Sequence, residues 1–485
     1  MSATQSIDTE NQLLFDDTLV EDKLGFALTL NPPAKAETPA LLPEKPWETK
    51  GIHVASVVEI EDGTYRMYYG ASEEGGAQSF FCLATSSDGI VWERPNLGLI
   101  EYNGSKDNNL ILVGESGGTV FVDPNAPAAA RFKLIGNDNT LCGVTSVNCG
   151  GARFRYFKDD LETWEYPAVI GAYSPDGIRW TKYPEPIMPW YTDTLNVAFW
   201  DEQISRYVAY VRLNEHLRID KTGKQVGSFD YRTIARAETD DFSHFPQPTK
   251  IVQPDFTLAE DEDLGGGGLY NSAAIKYGGA ANSYFIFSSA YHHTSDTLDI
   301  QLATSRDGIH FDRWLEPFVR LGTAGQFDSK GIYMGVGMIP ANDAIYLYYN
   351  GTNARHDIDV DVVRSGERQS GIGRLHLRRD GFVSQDAGID ESWLTTVPFV
   401  LAGDQLKVNM DASARGWLKV EILDESGHAL WGFEKSAADR LMFNDLAQTA
   451  SWNGNPDVSS LQGRSVRLRF IGQSVKLYSF CQTAS

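Results

Sequence analysis

The sequence predicts an all-β protein, a five-bladed β-propeller followed by a β-sandwich. Three observations predict it. Glycine is abundant, with 45 residues against 7 methionines, and no amphipathic run is long enough for a substantial helix. A short turn motif recurs five times. After the fifth copy the chain changes to clean two-residue alternation.

The motif reads "ATSSDGIVWERP" from Ala84, "AYSPDGIRWTKYPEP" from Ala172, "ARAETDDFSHFPQP" from Ala235, "ATSRDGIHFDRWLEP" from Ala303 and a worn "RLHLRRDGF" from Arg374. Its aspartates, Asp88, Asp176, Asp241, Asp307 and Asp380, are 88, 65, 66 and 73 residues apart. That loose period suits a four-stranded unit with variable loops. Asp-Gly supplies a side chain that caps its own turn and a residue that tolerates positive φ. The aromatic that follows (Trp92, Trp180, Phe245, Phe311 or Phe382) is expected to pack between neighbouring sheets.

A strand pair precedes each turn. The pairs are "HVASVVEIEDGTYRMYYGA", "GTVFVDPNAPAAARFKLIG", "TLNVAFWDEQISRYVAYVR", "YNSAAIKYGGAANSYFIFSSAY" and "IYMGVGMIPANDAIYLYYNG". Strand, hairpin, strand, a third strand ending in the Asp-Gly turn and a fourth after it describe one propeller blade. Five copies place the propeller at residues 51–384. Beyond it, "DQLKVNMDA", "GWLKVEILDESGHALWGF", "SVRLRFIG" and "SVKLYSF" alternate as half-buried antiparallel strands, a β-sandwich over residues 385–485. Residues 1–50, rich in proline and polar groups, are expected to pack on the propeller as an extension.

Composition narrows the function classes. The 485 residues suit two or three domains, and 42% apolar with 12% aromatic content describes a globular chain with ample core. A formal charge of -23 argues against nucleic acid and anionic membrane surfaces as partners. It also disfavours a polyanionic substrate, although a local basic pocket can hold one anionic group. The start "MSATQSIDTENQ" shows no basic and apolar leader pattern. Cys82, Cys142, Cys149 and Cys481 lack zinc spacing and read as reduced thiols. A cytoplasmic location is expected from these features.

The stretches "ATSSDGIVWERPNLGLIEYNG", "DTLNVAFWDEQISRYVAYVR" and "LYNSAAIKY" resemble those of bacterial proteins related to glycoside hydrolase families 32 and 43. A five-bladed propeller followed by a sandwich resembles family 32, and the propeller alone resembles family 43. The resemblance implies a glycosidase. No W-M-N-D-P-N-G-like or E-C-P-like motif is present. Asp123 in "VDP" lies at the opposite end of its strand from the family's R-D-P aspartate and reads as a turn residue. No family catalytic residue carries over by motif.

In this superfamily the innermost strands start at the substrate face and the second strands return to it. Carboxylates before the inner strands are Glu48, Glu115, Asp193, the run Asp261, Glu262 and Asp263, and Asp328. Glycoside hydrolysis needs two carboxyl groups astride the scissile bond, and Asp193, Glu48, Asp263 and Asp328 are the catalytic candidates. Groups after the second strands include Glu73, Glu74, Arg212, His216, Tyr291, His292, His293, Arg355 and His356. Aromatic faces and forked donors of this kind suit a sugar. The expected binding set is His53, Glu115, Arg212, Tyr270, Asn271, Tyr291, His292 and His356, with at most one of the adjacent His292 and His293 facing the axis. No cofactor is called for; a cation on the axis is compatible with the fold, but no His/Asp spacing specifies one.

The leading expectation is hydrolysis of a small oligosaccharide or glycoside, in particular a furanoside such as a fructoside or arabinofuranoside. A phosphorylase or transglycosylase on the same scaffold would use a cationic subsite, for which Arg212, Arg218, Lys330 and Arg355 are available. A sugar-binding propeller without catalysis is the third reading.

Overall fold

The computed structural model describes residues 10–60, 63–73, 79–113, 115–138, 168–192, 194–216, 230–254, 268–356 and 368–483. Apart from short 3-10 turns its regular elements are strands. The first blade is an antiparallel meander of Gly51–Glu59, Tyr65–Ser72, Ser79–Ser86 and Leu110–Val113. The second runs Glu115–Val122, Phe132–Asp138 and Ala168–Ser174, with Thr181–Lys182 and Met188–Tyr191 on its outer edge. The third is Val197–Asp201, Arg206–His216, Asp230–Thr239 and Thr249–Val252. The fourth is Ala273–Lys276, Tyr284–His292, Thr297–Ser305 and Asp312–Arg313.

The fifth blade departs from the simple repeat. Gly331–Met334, Ala344–Thr352 and Ser370–Arg378 form its first three strands. Its fourth place is filled by Ala34–Lys35, paired with His376 and Leu375. The strand after the fifth turn, Val383–Ala387, instead joins a sandwich sheet. First and fifth blades meet where Val57 N–H donates to Val336 O at 2.7 Å and Val336 N–H to Ala55 O at 2.9 Å.

The recurring turn has a common construction. Asp88 Oδ1 accepts the amides of Ile90 and Val91, Asp176 Oδ1 those of Ile178 and Arg179, and Asp307 Oδ1 those of Ile309 and His310. The following glycine then offers its carbonyl to a tyrosine of the preceding blade. Tyr348 O–H donates to Gly89 at 2.5 Å, Tyr68 to Gly177 at 3.0 Å and Tyr210 to Gly308 at 2.8 Å. At Gly177 φ is +69°, and a Cβ there would lie 2.5 Å from the Tyr68 hydroxyl, so both conformation and space require glycine. Trp92, Trp180 and Phe311 pack edge-on against these same tyrosines, between adjacent sheets. The third copy has Asp241–Phe242 where the others have Asp-Gly, so it lacks the glycine carbonyl of the latch.

Hairpin aspartates form a parallel set of links. Asp123 accepts from the Asn125 amide at 2.9 Å and from Tyr207 O–H of the next blade at 2.8 Å. Asp201 similarly holds Tyr284 O–H at 2.7 Å and Lys276 Nζ at 2.6 Å. Asp123 is therefore a turn-and-latch residue.

Two sheets form the C-terminal sandwich, with Leu406, Val408 and Met410 facing Leu418, Val420, Leu468 and Phe470 in one core. The first 50 residues do more than pack on the propeller. Gln12–Leu13, Val20–Leu24 and Phe26–Leu30 pair with sandwich strands before Ala34–Lys35 reaches the fifth blade. Asp380, at φ +63°, joins the domains by accepting from Tyr277 O–H at 2.7 Å and Ser479 O–H at 2.8 Å. Cys82 is buried and free; Cys481 is free and half-buried; Cys142 and Cys149 lie outside the described residues. No helix among the described residues is long and apolar enough to cross a membrane.

Candidate functional site

Alternation makes each inner strand bury one face in the blade stack, and its first residues emerge at the end of the propeller. A cavity of about 330 Å³ opens there. Its wall takes Lys50, His53 and Val54 from the first inner strand and its approach, and Ser72 from the end of the second strand. Thr194 and Leu195 precede the third blade, Asn271 precedes the fourth, and Tyr333 lies on the fifth inner strand. Asn350, Thr352, Arg368 and Ser370 complete the wall from the fifth blade. The cavity thus sits at the strand ends opposite the Asp-Gly turns.

Acceptors on this wall are largely engaged. Asn350 Oδ1 accepts the Val54 amide at 2.6 Å, and Thr352 Oγ1 accepts the Ala354 amide at 3.2 Å and Arg368 Nε at 3.3 Å. Asn271 is largely committed to the protein: its Oδ1 accepts the Ser289 amide and hydroxyl, and one N–H of its Nδ2 donates to Met334 O at 3.2 Å. The His53 ring lies over Gly70, where an added Cβ would come within 2.1 Å of Nε2. Burial first and the Arg368 charge second lower the His53 pKa to about 4, which leaves the imidazole neutral at pH 7.

Beside the cavity lies an aromatic and cationic cluster, joined to it through Tyr333. Tyr270 and Tyr333 have ring centroids 5.6 Å apart, and Tyr270 meets His356 at 4.9 Å. Arg212 and Arg232 stack over Tyr270 at 4.8 and 4.9 Å, and Arg232 also approaches Tyr291 at 5.5 Å. His356 lies 5.1 Å from Tyr291, whose hydroxyl donates to Asp296 at 2.7 Å. Burial, and then the neighbouring Tyr270, push the Tyr333 hydroxyl well above its ordinary range.

The expected residues divide sharply. His53 and Asn271 line the cavity, while Arg212, Tyr270, Tyr291 and His356 form the adjoining cluster. His293 joins that cluster against Tyr291 at 4.3 Å, whereas His292 Nε2 is taken by Asp299 at 3.1 Å. Asp193 and Asp263 lie outside the described residues. Glu115 opens the second inner strand opposite Asp138, with its side chain undescribed.

Glu48 and Asp328 lie away from the cavity wall. Glu48 is fully buried. Its oxygens accept from Tyr69 O–H at 2.7 Å, Arg94 Nε at 2.9 Å and the amides of Glu44 and Lys45. Asp328 is buried against Lys35 Nζ at 2.5 Å and Tyr349 O–H at 2.8 Å. Neither carboxylate lines the cavity, and each is consumed in holding strands together. Lys50, Tyr333, Asn350, Thr352 and Arg368 escaped selection from sequence. Lys50 borders the first inner strand and was within reach of the strand-end rule; Arg368 sits in the charged stretch "VRSGERQSG", which reads as solvated loop.

Among the described residues no group of three His, Cys, Asp or Glu side chains is placed to hold a metal ion. No family model matches the chain, and no curated protein matches it. Solved structures show a distant likeness. One is an N-acetylgalactosamine deacetylase from F. plautii in complex with blood group B trisaccharide, at 14% identity, 73% of this chain, 96% of that one and a TM-score of 0.44. Another is a putative glycoside hydrolase from Bacteroides ovatus, at 13% identity, 72% and 97% coverage and a TM-score of 0.43. A thermostable family-43 glycoside hydrolase matches at 13% identity, 73% and 95% coverage and 0.43. At these TM-scores the likeness assigns neither a reaction nor a residue to this chain.

Proposed function

We propose that the protein is a glycosidase acting on a small oligosaccharide or glycoside at the propeller mouth, with a furanoside (fructoside or arabinofuranoside) as the first substrate class to try. The observation that carries the reading is the cavity at the strand ends, with hydroxyl and amide side chains set among apolar ones. Its volume, about 330 Å³, suits a ligand of one or two sugar rings. Ser72, Thr194, Asn350 and Thr352 offer hydroxyl and amide groups for vicinal hydroxyls.

Two carboxyl groups are then required, one protonated to release the leaving oxygen and one to act as base or nucleophile. Asp193 immediately precedes the wall residue Thr194 and takes first place. Asp263, in the segment before the fourth inner strand, is its proposed partner. Burial withdraws Glu48 and Asp328 from that role.

A panel of fructosides, arabinofuranosides and common pyranosides tests the reading by product analysis over time. Turnover by the wild type and its loss in Asp193→Asn with the fold retained is the expected result. Binding without turnover across the panel would instead leave a carbohydrate-binding propeller.

A further inference from the structure

The cavity wall is asymmetric in its hydrogen-bonding capacity. Its amide and threonine acceptors beside Arg368 are engaged, Asn350 Oδ1 by Val54 and Thr352 Oγ1 by Ala354 and Arg368, and the other side-chain acceptors of the wall are neutral hydroxyls, the neutral His53 ring and the committed Asn271 Oδ1. Donors remain. The Asn350 amide N–H groups, the Thr352 hydroxyl proton and the Arg368 terminal nitrogens have no acceptor among the described residues, nor does the Lys50 ammonium. No described carboxylate lines the cavity, in a chain of formal charge -23. The two cations come from adjoining strand ends. A Cβ on Gly51 would lie 2.8 Å from Ser370 Oγ, which brings the residue after Lys50 against the strand that follows Arg368.

Uncompensated cations with free donors in a concave site are the arrangement that takes an oxyanion. We propose that Lys50, Arg368, Asn350 and Thr352 form a subsite for an oxyanion: the carboxylate or phosphate group of an acidic sugar, or free phosphate serving beside a neutral one. The sugar-borne form rests on the carbohydrate reading above; the anion site itself does not. His53, neutral beside Arg368, completes the wall without adding a charge of its own. The net acidity of the chain makes the local polarity selective, since a polyanion is repelled elsewhere on the surface while one anionic group is met at the cavity.

Ligand-observed NMR titrations of the full chain at low ionic strength test this. The probes are galacturonate against galactose, glucuronate against glucose, and inorganic phosphate. An acid is expected to bind about tenfold more tightly than its neutral counterpart, in line with a charge-assisted hydrogen bond. Arg368→Gln should abolish that preference, whereas Arg368→Lys should keep most of it. Lys50→Gln supplies an independent second variant. Both side chains are exposed, and matching thermal melts would establish that the variants fold.

Phosphate that displaces the acid supports one subsite serving both. Phosphate that binds in an Arg368-dependent way while no acid is preferred assigns the subsite to free phosphate. If only phosphate binds and no sugar does, the oxyanion subsite stands and the carbohydrate reading falls. Acids and neutral sugars bound alike, with phosphate silent, would overturn the subsite and leave the carbohydrate reading intact. Anion binding equal in wild type, Arg368→Gln and Lys50→Gln overturns it as well.

Discussion

The two ends of the propeller treat polar groups in opposite ways. At the Asp-Gly end, turn amides are capped by aspartate, and glycine carbonyls accept tyrosine hydroxyls from the neighbouring blade. At the cavity end, the Lys50 ammonium and the terminal nitrogens of Arg368 have no acceptor among the described residues. A satisfied network holds blades in register and offers little to a ligand. An incomplete one forgoes some stability and gains the ability to bind. The same scaffold thus divides its labour by end, a difference that mutation can probe from either side.

The largest expected effect belongs to the cavity end. Asp193→Asn should lower kcat/KM by about 10²–10⁴-fold, the range for removing a general acid or base. Its melting temperature should stay close to that of the wild type. A variant that unfolded instead would move Asp193 to the structural side of the comparison.

Glu48→Ala comes next and should behave in the opposite sense. Removing Glu48 from the buried Glu48–Arg94 pair leaves the guanidinium with only the exposed Glu44 carboxylate at 3.3 Å and the Leu42 carbonyl, at a cost of up to about 3–5 kcal/mol. Denaturant unfolding should show this loss, while KM for any substrate that still binds should change little. Selective loss of kcat in a fully stable variant would return Glu48 to the active site.

Tyr68→Phe tests a single latch. It removes the donor to Gly177 O but keeps the ring between Phe81 and Trp180. The expected cost is about 0.5–1.5 kcal/mol, one intramolecular hydrogen bond. Ligand affinity at the far end should not move. Coupled loss of stability and affinity would show that the two ends are not independent.

These contrasts also explain what was legible in the sequence. The blade repeat was readable because its signal is local: an aspartate that caps the next turn amides and a glycine at positive φ. The fourth strand of the fifth blade was hidden. Ala34 and Lys35 pair with residues about 340 positions away, and two residues carry no periodicity. Glu48 and Asp328 satisfied the rule of proximity to an inner strand, yet proximity does not fix direction. Packing turned Glu48 towards Arg94 and Tyr69, and Asp328 towards Lys35 and Tyr349. Lys50 and Arg368 carry no signal in the sequence, because the lack of a carboxylate beside them among the described residues is a property of three-dimensional neighbours.

The smallest effect is the most direct probe of the cavity's polarity. Burial, more than Arg368, holds the His53 pKa near 4. A histidine whose folded pKa lies below its unfolded value near 6.5 favours the folded state above that value. The contribution falls away as pH drops towards about 4, where folded His53 also takes a proton. Arg368→Gln removes the cation and leaves the burial, so the His53 titration followed by NMR should move upward and remain below 6.5. An oxyanion bound beside Lys50 and Arg368 should move the wild-type titration the same way, by stabilising the imidazolium. An unchanged His53 titration with phosphate or galacturonate bound would place that anion away from the Lys50–Arg368 wall, and the two ends of the propeller would then differ in stability alone.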